Sequence, residues 1–92
     1  MRVVWDPVKA KINFAKHRVH LGDAEVALFD PFGLTSEDVS SQGERRFVTI
    51  GADATGTIVV AVSPPRGDDI RLISSSKATK KERGQYAERI RF

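Results

Sequence analysis

Residues 46–65, RFVTIGADATGTIVVAVSPP, decide the fold. Arg46–Ile50 reads as a strand. Gly51-Ala52-Asp53-Ala54-Thr55-Gly56 concentrates turn formers, and Thr57–Ser63 is a nearly unbroken β-branched run, so the stretch predicts a β-hairpin. The continuous apolar run suits a central strand covered on both faces. Pro64-Pro65-Arg66-Gly67-Asp68 ends it, because proline has no N–H to give to a strand ladder.

Upstream of the hairpin, Leu34–Val39 predicts a weaker strand and Ser40–Gly43 a turn. Downstream, Ile70–Ser74 predicts the last strand, with Ile70 and Leu72 on one face and Arg71 and Ile73 on the other. Ser74-Ser75-Ser76 reads as a strand-to-helix junction whose hydroxyls cap backbone N–H groups. Thr79-Lys80-Lys81-Glu82 has capping-box spacing and opens a final helix to about Arg91, with Arg83, Tyr86 and Ile90 on one stripe.

At the other end of the chain, Met1–Trp5 predicts a short strand. Asp6 is placed to cap a helix that has Pro7 in its first position and runs to about His17. Val8, Ile12 and Ala15 recur at helical spacing and are expected to face the core, with Lys9, Asn13, Lys16 and His17 on the adjoining face. His20–Phe29 predicts a second helix with Leu21, Ala24 and Leu28 inward, ended by Asp30-Pro31-Phe32-Gly33. The expected class is α+β: a mainly antiparallel four- to five-stranded sheet with two N-terminal helices and one C-terminal helix. The helices would pack on one face, leaving the other, with its strand arginines, to a ligand.

The 92 residues predict one small domain spanning 1–92, with 40% hydrophobic residues for its core. The absence of cysteine excludes disulfides, a thiolate nucleophile and a Cys-based zinc site, and suits a cytoplasmic protein. No apolar run approaches a membrane span, and Met1-Arg2-Val3 opens no signal peptide. The net charge is +3 and segregated. Lys9, Lys11, Lys16 and Arg18 form a basic block, Asp23 to Glu44 an acidic one, and the C-terminus is basic again, a field that attracts a polyanion. His17, His20 and Asp23 lack further ligands at metal-site spacing, so no metal is expected. Neither a nucleophile elbow nor a phosphate-binding glycine loop is present, so no cofactor is expected.

The remaining chemistry-bearing residues are Lys9, Lys16, His17, Glu44, Arg46, Arg66, Arg71, Lys77, Arg83 and Tyr86. Together they form a metal-free RNA-cleaving set. Transesterification at an RNA phosphate needs a base for the 2′-hydroxyl, cations for the developing phosphorane charge and a proton source for the leaving oxygen.

The ordered set Trp5-Asp6, Lys9, Asn13, Lys16-His17, Asp30-Pro31, Gly43-Glu44, Arg46-Phe47, Ile50-Gly51, Arg66, Ile70-Arg71, Ile73-Ser74, Lys77-Ala78, Glu82-Arg83 and Tyr86 resembles the BrnT family over nearly the whole chain. The resemblance implies a RelE-like fold and a type II toxin that cuts RNA and stops translation. It further implies neutralisation by a BrnA-type ribbon-helix-helix antitoxin in a 2:2 heterotetramer, which would reach operator DNA only through the antitoxin. In such a protein Arg46, Arg66 and Arg71 would grip the phosphate, extended by Lys9 and Lys16. Glu44 or His17 would act as base, and Lys77, Arg83 and Tyr86 would complete the catalytic set. One position departs from the family pattern Ile-Ser-Ala-Arg: this chain reads Ile73-Ser74-Ser75-Ser76. Losing such a preorganised cation costs roughly 100- to 1,000-fold in rate. An alternative follows, in which a weakened homologue acts mainly as an antitoxin-binding partner in operon repression. A direct nucleic-acid-binding module is a third reading, but no helix-turn-helix or aromatic stacking motif supports it.

Overall fold

Asp6 and Pro7 start the first helix by the expected chemistry. In the computed structural model, which describes residues 2–39 and 43–90, the Asp6 carboxylate accepts the Val8 N–H at 2.8 Å. Pro7 fills the first helical position of α1 (Pro7–His17). The helix stops at Arg18, in the left-handed region at φ 58°, whose N–H donates to the Phe14 carbonyl at 2.8 Å. The strand before it, β1, is only Val3–Val4.

His20–Phe29 is not one helix. It is a single turn, α2 (Leu21–Ala24), followed by a 3-10 turn over Glu25–Phe29. A tertiary bond diverts a helical carbonyl: Asp23 O accepts the Ala54 N–H at 3.1 Å. The tightened turn also lies close against the sheet. A Cβ at Gly51 would stand 2.7 Å from the Ala27 carbonyl oxygen, so only glycine permits the approach.

The strands are β2 (Leu34–Val39), β3 (Arg45–Ala52), β4 (Ile58–Ser63), β5 (Pro65–Arg66), β6 (Asp69–Arg71) and β7 (Ser74–Lys77). The hairpin pairs Phe47 with Ser63 and Ala52 with Ile58. An antiparallel sheet runs β2-β3-β4-β7, and a smaller one runs β1-β6-β5 with β1 parallel to β6. The expected Ile70–Ser74 strand is therefore divided. Leu72 N–H donates to Val4 O at 2.8 Å and Ile73 N–H to Val62 O at 3.0 Å, so the chain changes sheets between these residues. Ser74–Ser76 is correspondingly edge strand, not a helix-capping junction. The cap is the reciprocal pair predicted at Thr79 and Glu82: Thr79 N–H donates to Glu82 Oε1 at 2.7 Å and Glu82 N–H to Thr79 Oγ1 at 3.2 Å. It opens α3 (Lys80–Ile90). Ser40–Gln42 of the expected turn and Arg91 at the expected helix end lie outside the described residues.

The core joins Val59 and Ala61 of β4 to Val19, Leu21, Ala24, Ala27 and Leu72. Burial alternates along β4, so Val59, Ala61 and Ser63 share one face with Gly51, Thr49 and Phe47 of β3. The third helix departs from the expected one-sided arrangement. Its Gln85 and Glu88 flank a cleft with Leu34, Ser36, Val48 and Ile50, on the opposite face.

The α1 register also corrects the sequence reading. Val8 is 63% and Ile12 60% exposed, and Ala15 is exposed; the residue α1 buries is Asn13. The Asn13 carbonyl oxygen accepts the Ser75 N–H at 3.0 Å, and its amide nitrogen donates to Ser75 O and Val19 O, both at 2.9 Å. One side chain thus pairs the outer edge of β7, and these buried polar bonds orient the helix in place of its apolar stripe.

Candidate nucleic-acid interface

Two ends of the sheet divide seven of the ten predicted site residues. Arg46 precedes the Phe47–Ser63 pair, and Arg71 donates its N–H to Pro64 O at 3.3 Å, so both belong to the Ser63 end. Glu44 is exposed at the entrance to β3 on this side. Arg66 pairs by its backbone with Asp69, and its side chain lies outside the described part. Lys77 stands opposite Val59, which pairs with Gly51, five residues along β3 from Arg46. That separation is about 17 Å along the strand. Arg83 and Tyr86 join Lys77 at the far end. Arg83 Nη1 donates to Ala78 O at 2.8 Å, and the Tyr86 hydroxyl donates to Asp30 Oδ2 at 2.5 Å.

The three residues expected to bind RNA do converge. Lys9, Lys16 and His17 line a cleft of about 180 Å³ between α1 and the chain entering β7, together with Ile12, Asn13, Ile73 and Ser74. A second cleft at the start of α1 holds Arg71 with Val4, Trp5 and Asp6. The Asn13–Ser75 clamp fixes the seam between helix and strand; Lys9, Lys16 and His17 line the cleft along it, and Arg71 lines the separate cleft at the start of the helix. Ser74 and Ile73 were absent from the predicted site. The change of sheets that brings them there depends on pairing with Val4 and Val62, residues remote in sequence.

A larger cavity of about 420 Å³ opens on the core face at the same end. Leu28, Phe47 and Ile70 give it apolar walls, Ser63 and the hydrogen-bonded Thr35–Thr49 hydroxyls polar ones, and Asp68 and Asp69 a carboxylate border. Each of Phe47 and Ile70 is adjacent in the chain to a predicted phosphate-gripping arginine.

Other predicted groups have partners already. Asp38 Oδ2 accepts from Arg46 at 3.0 Å (Nη2) and 3.2 Å (Nε), and Glu37 accepts from Arg45 at 2.5 Å; both pairs cross the β2–β3 hairpin and are exposed. The hydrogen bond from Arg45 holds the Glu37 carboxyl below its ordinary range and raises the guanidinium in turn. Tyr86 is 8% exposed. Its hydrogen bond to Asp30, with burial and the carboxylate charge, pushes its hydroxyl up to about 12. Burial pushes Asp30 upward, but bonds from Ala52 N–H, the Tyr86 hydroxyl and Phe32 N–H outweigh it and leave the carboxyl below its ordinary value.

Alternation along β7 separates Ser76 from Lys77. Ser76 pairs with Val60 and shares a face with Ser74, whereas Lys77 pairs with Val59 on the other. Lys77 therefore does not occupy the place of an arginine at position 76.

The fold and the seam define a small α+β protein with a cationic cleft fixed between a helix and an edge strand. The profile of the family described as the ribonuclease toxin BrnT of type II toxin-antitoxin systems matches residues 5–82, and the chain belongs to that family. Among solved structures it is similar to the Brucella abortus ribonuclease toxin BrnT, at 24% identity and a TM-score of 0.67, over 87% of this chain and 99% of that one. Comparison with curated proteins finds no match. The expected fold class is the observed one. No helix among the described residues is long and apolar enough to cross a membrane.

Proposed function

We propose that this toxin is a metal-independent endoribonuclease whose phosphate-binding element is the α1–β7 seam. The observation that carries this reading is the convergence of Lys9, Lys16 and His17 on one cleft, with Arg71 in the next cleft along the same helix. In the proposed reaction His17 takes the proton of the 2′-hydroxyl, and the freed oxygen attacks phosphorus. The P–O5′ bond breaks as the leaving oxygen takes a proton from solvent water, giving a cyclic phosphate and a 5′-hydroxyl, and the proton held by His17 returns to solvent. Arg71, Lys9 and Lys16 neutralise the phosphorane. Arg46 and Arg66 extend the grip at the Ser63 end, Glu44 is the second candidate base, and the 420 Å³ cavity has room for a neighbouring base. Lys77, Arg83 and Tyr86, at the far end, hold α3 or bind outlying RNA.

The cell-level reading is cytoplasmic arrest of translation, relieved by a BrnA-type ribbon-helix-helix antitoxin in a 2:2 complex that contacts operator DNA through the antitoxin. A second reading, an antitoxin-binding partner with little activity, is favoured by Ser76. Expression in a bacterial host separates the two. Arrest by the natural chain is the expected result. Arrest only by Ser76→Arg identifies a weakened toxin, and no arrest by either contradicts the ribonuclease reading.

A further inference from the structure

The stripe that reads as a core face in the sequence lies on the outside of α1. At 100° per residue, Val8 and Ala15 fall within about 20° of each other and Ile12 about 40° further round, roughly opposite Asn13, Ala10 and Phe14. Val8 and Ile12 keep 63% and 60% of their surface exposed, although the 3.6-residue spacing is that of a packed face. Such an arrangement on a small protein marks an interaction surface.

The surroundings select the occupant. Lys11 borders one side of the stripe and Lys9 and Lys16 the other, and α1 contains no acidic residue. An apolar centre between two rows of lysines complements an amphipathic helix whose own apolar stripe is flanked by Asp and Glu. Nucleic acid would use the lysines but leave the apolar centre exposed. Ile12 also lines the Lys9–Lys16–His17 cleft, so a segment seated on the stripe covers the mouth of that cleft.

We infer that the outward face of α1 is the docking site of an acidic amphipathic helix of the antitoxin, seated beside Lys9 and Lys16 of the basic cleft. The inference rests on the proposed toxin function for its partner, and it adds the surface.

The test compares the natural chain with Val8→Gln/Ala15→Gln, which leaves every cation and Ile12 in place. The protein encoded by the reading frame beside this gene is the probe, with affinity measured by titration calorimetry. Affinity for a labelled single-stranded RNA and the melting temperature are measured in parallel, and bound RNA is challenged with the neighbour protein. The expected result is at least tenfold weaker binding of the neighbour protein, RNA affinity within about twofold, an unchanged melting temperature, and displacement of RNA from the natural chain. Unchanged affinity for the neighbour protein in the variant overturns the inference, as does absence of binding to the natural chain. A dimer of the natural chain that becomes monomeric in the variant during sedimentation overturns it too, by assigning the stripe to self-association. Failure of the chain to cut RNA refutes the ribonuclease reading and leaves the binding comparison intact.

Discussion

Asn13 and Tyr86 show how single polar side chains set this structure. Replacing Asn13 with alanine leaves the Ser75 N–H and carbonyl and the Val19 carbonyl without their partner in a buried seam. The expected cost is about 3 kcal/mol, measured by urea unfolding, with a Tm lower by more than about 10 °C. The Tyr86–Asp30 bond predicts a pH profile. Asp30 titrates below its ordinary 3.8 in the folded protein, so its contribution is complete above that pH and is lost as pH falls through the folded value. Tyr86 is raised from 10.0 to about 12, so its contribution is complete below pH 10 and is lost as pH rises toward 12. Tyr86→Phe should therefore cost about 1–2 kcal/mol between pH 4 and 10, and the difference from the natural chain should shrink at both extremes. A difference that stays constant from below pH 3.8 up to pH 12 would contradict the pairing.

Local chemistry makes individual elements legible, and tertiary pairing revises them. The Asp6-Pro7 start, the Thr79–Glu82 box and the β3–β4 hairpin involve residues within a few positions of one another, and each forms as its spacing predicts, except that Gly51 and Ala52, expected in the turn, extend β3 by pairing with Val59 and Ile58, and Thr57 falls in the loop. The revisions have distant causes. Asp23 gives its carbonyl to Ala54, shortening α2, and Leu72 and Ile73 turn to Val4 and Val62, dividing one strand into β6 and β7. The α1 stripe faces outward for a related reason. Periodicity identifies an amphipathic face but not what covers it, and Asn13 oriented the helix through a strand 62 residues away. The edge strand carries its own prediction. Position 76 shares a face with Ser74 two residues on, about 7 Å from a wall of the basic cleft, within reach of an arginine side chain. Ser76→Arg should raise the cleavage rate by roughly 100- to 1,000-fold, read from single-turnover product ladders. An unchanged rate would remove position 76 from the reaction.

Across the whole molecule, the candidate site was legible as a set of residue types and only partly as a place. Composition and charge indicated a polyanion, and the spacing on α1 put Lys9, Lys16 and His17 together. It did not show that the sheet places Lys77 about 17 Å along the strands from Arg46, because that depends on the register of β3, β4 and β7. At the level of the molecule, the Asn13 clamp holds α1 on β7 so that Lys9, Lys16 and His17 share one cleft, with Arg71 in a second cleft at the helix start. The most direct measurement of the central claim is cleavage of a single-stranded RNA in the presence of chelator, by the natural chain and by Arg71→Gln. The account predicts cyclic-phosphate products from the natural chain and at least a 100-fold slower reaction from the variant, with the fold unchanged by circular dichroism. Absence of cleavage by both the natural chain and Ser76→Arg, or full activity of Arg71→Gln, would contradict it.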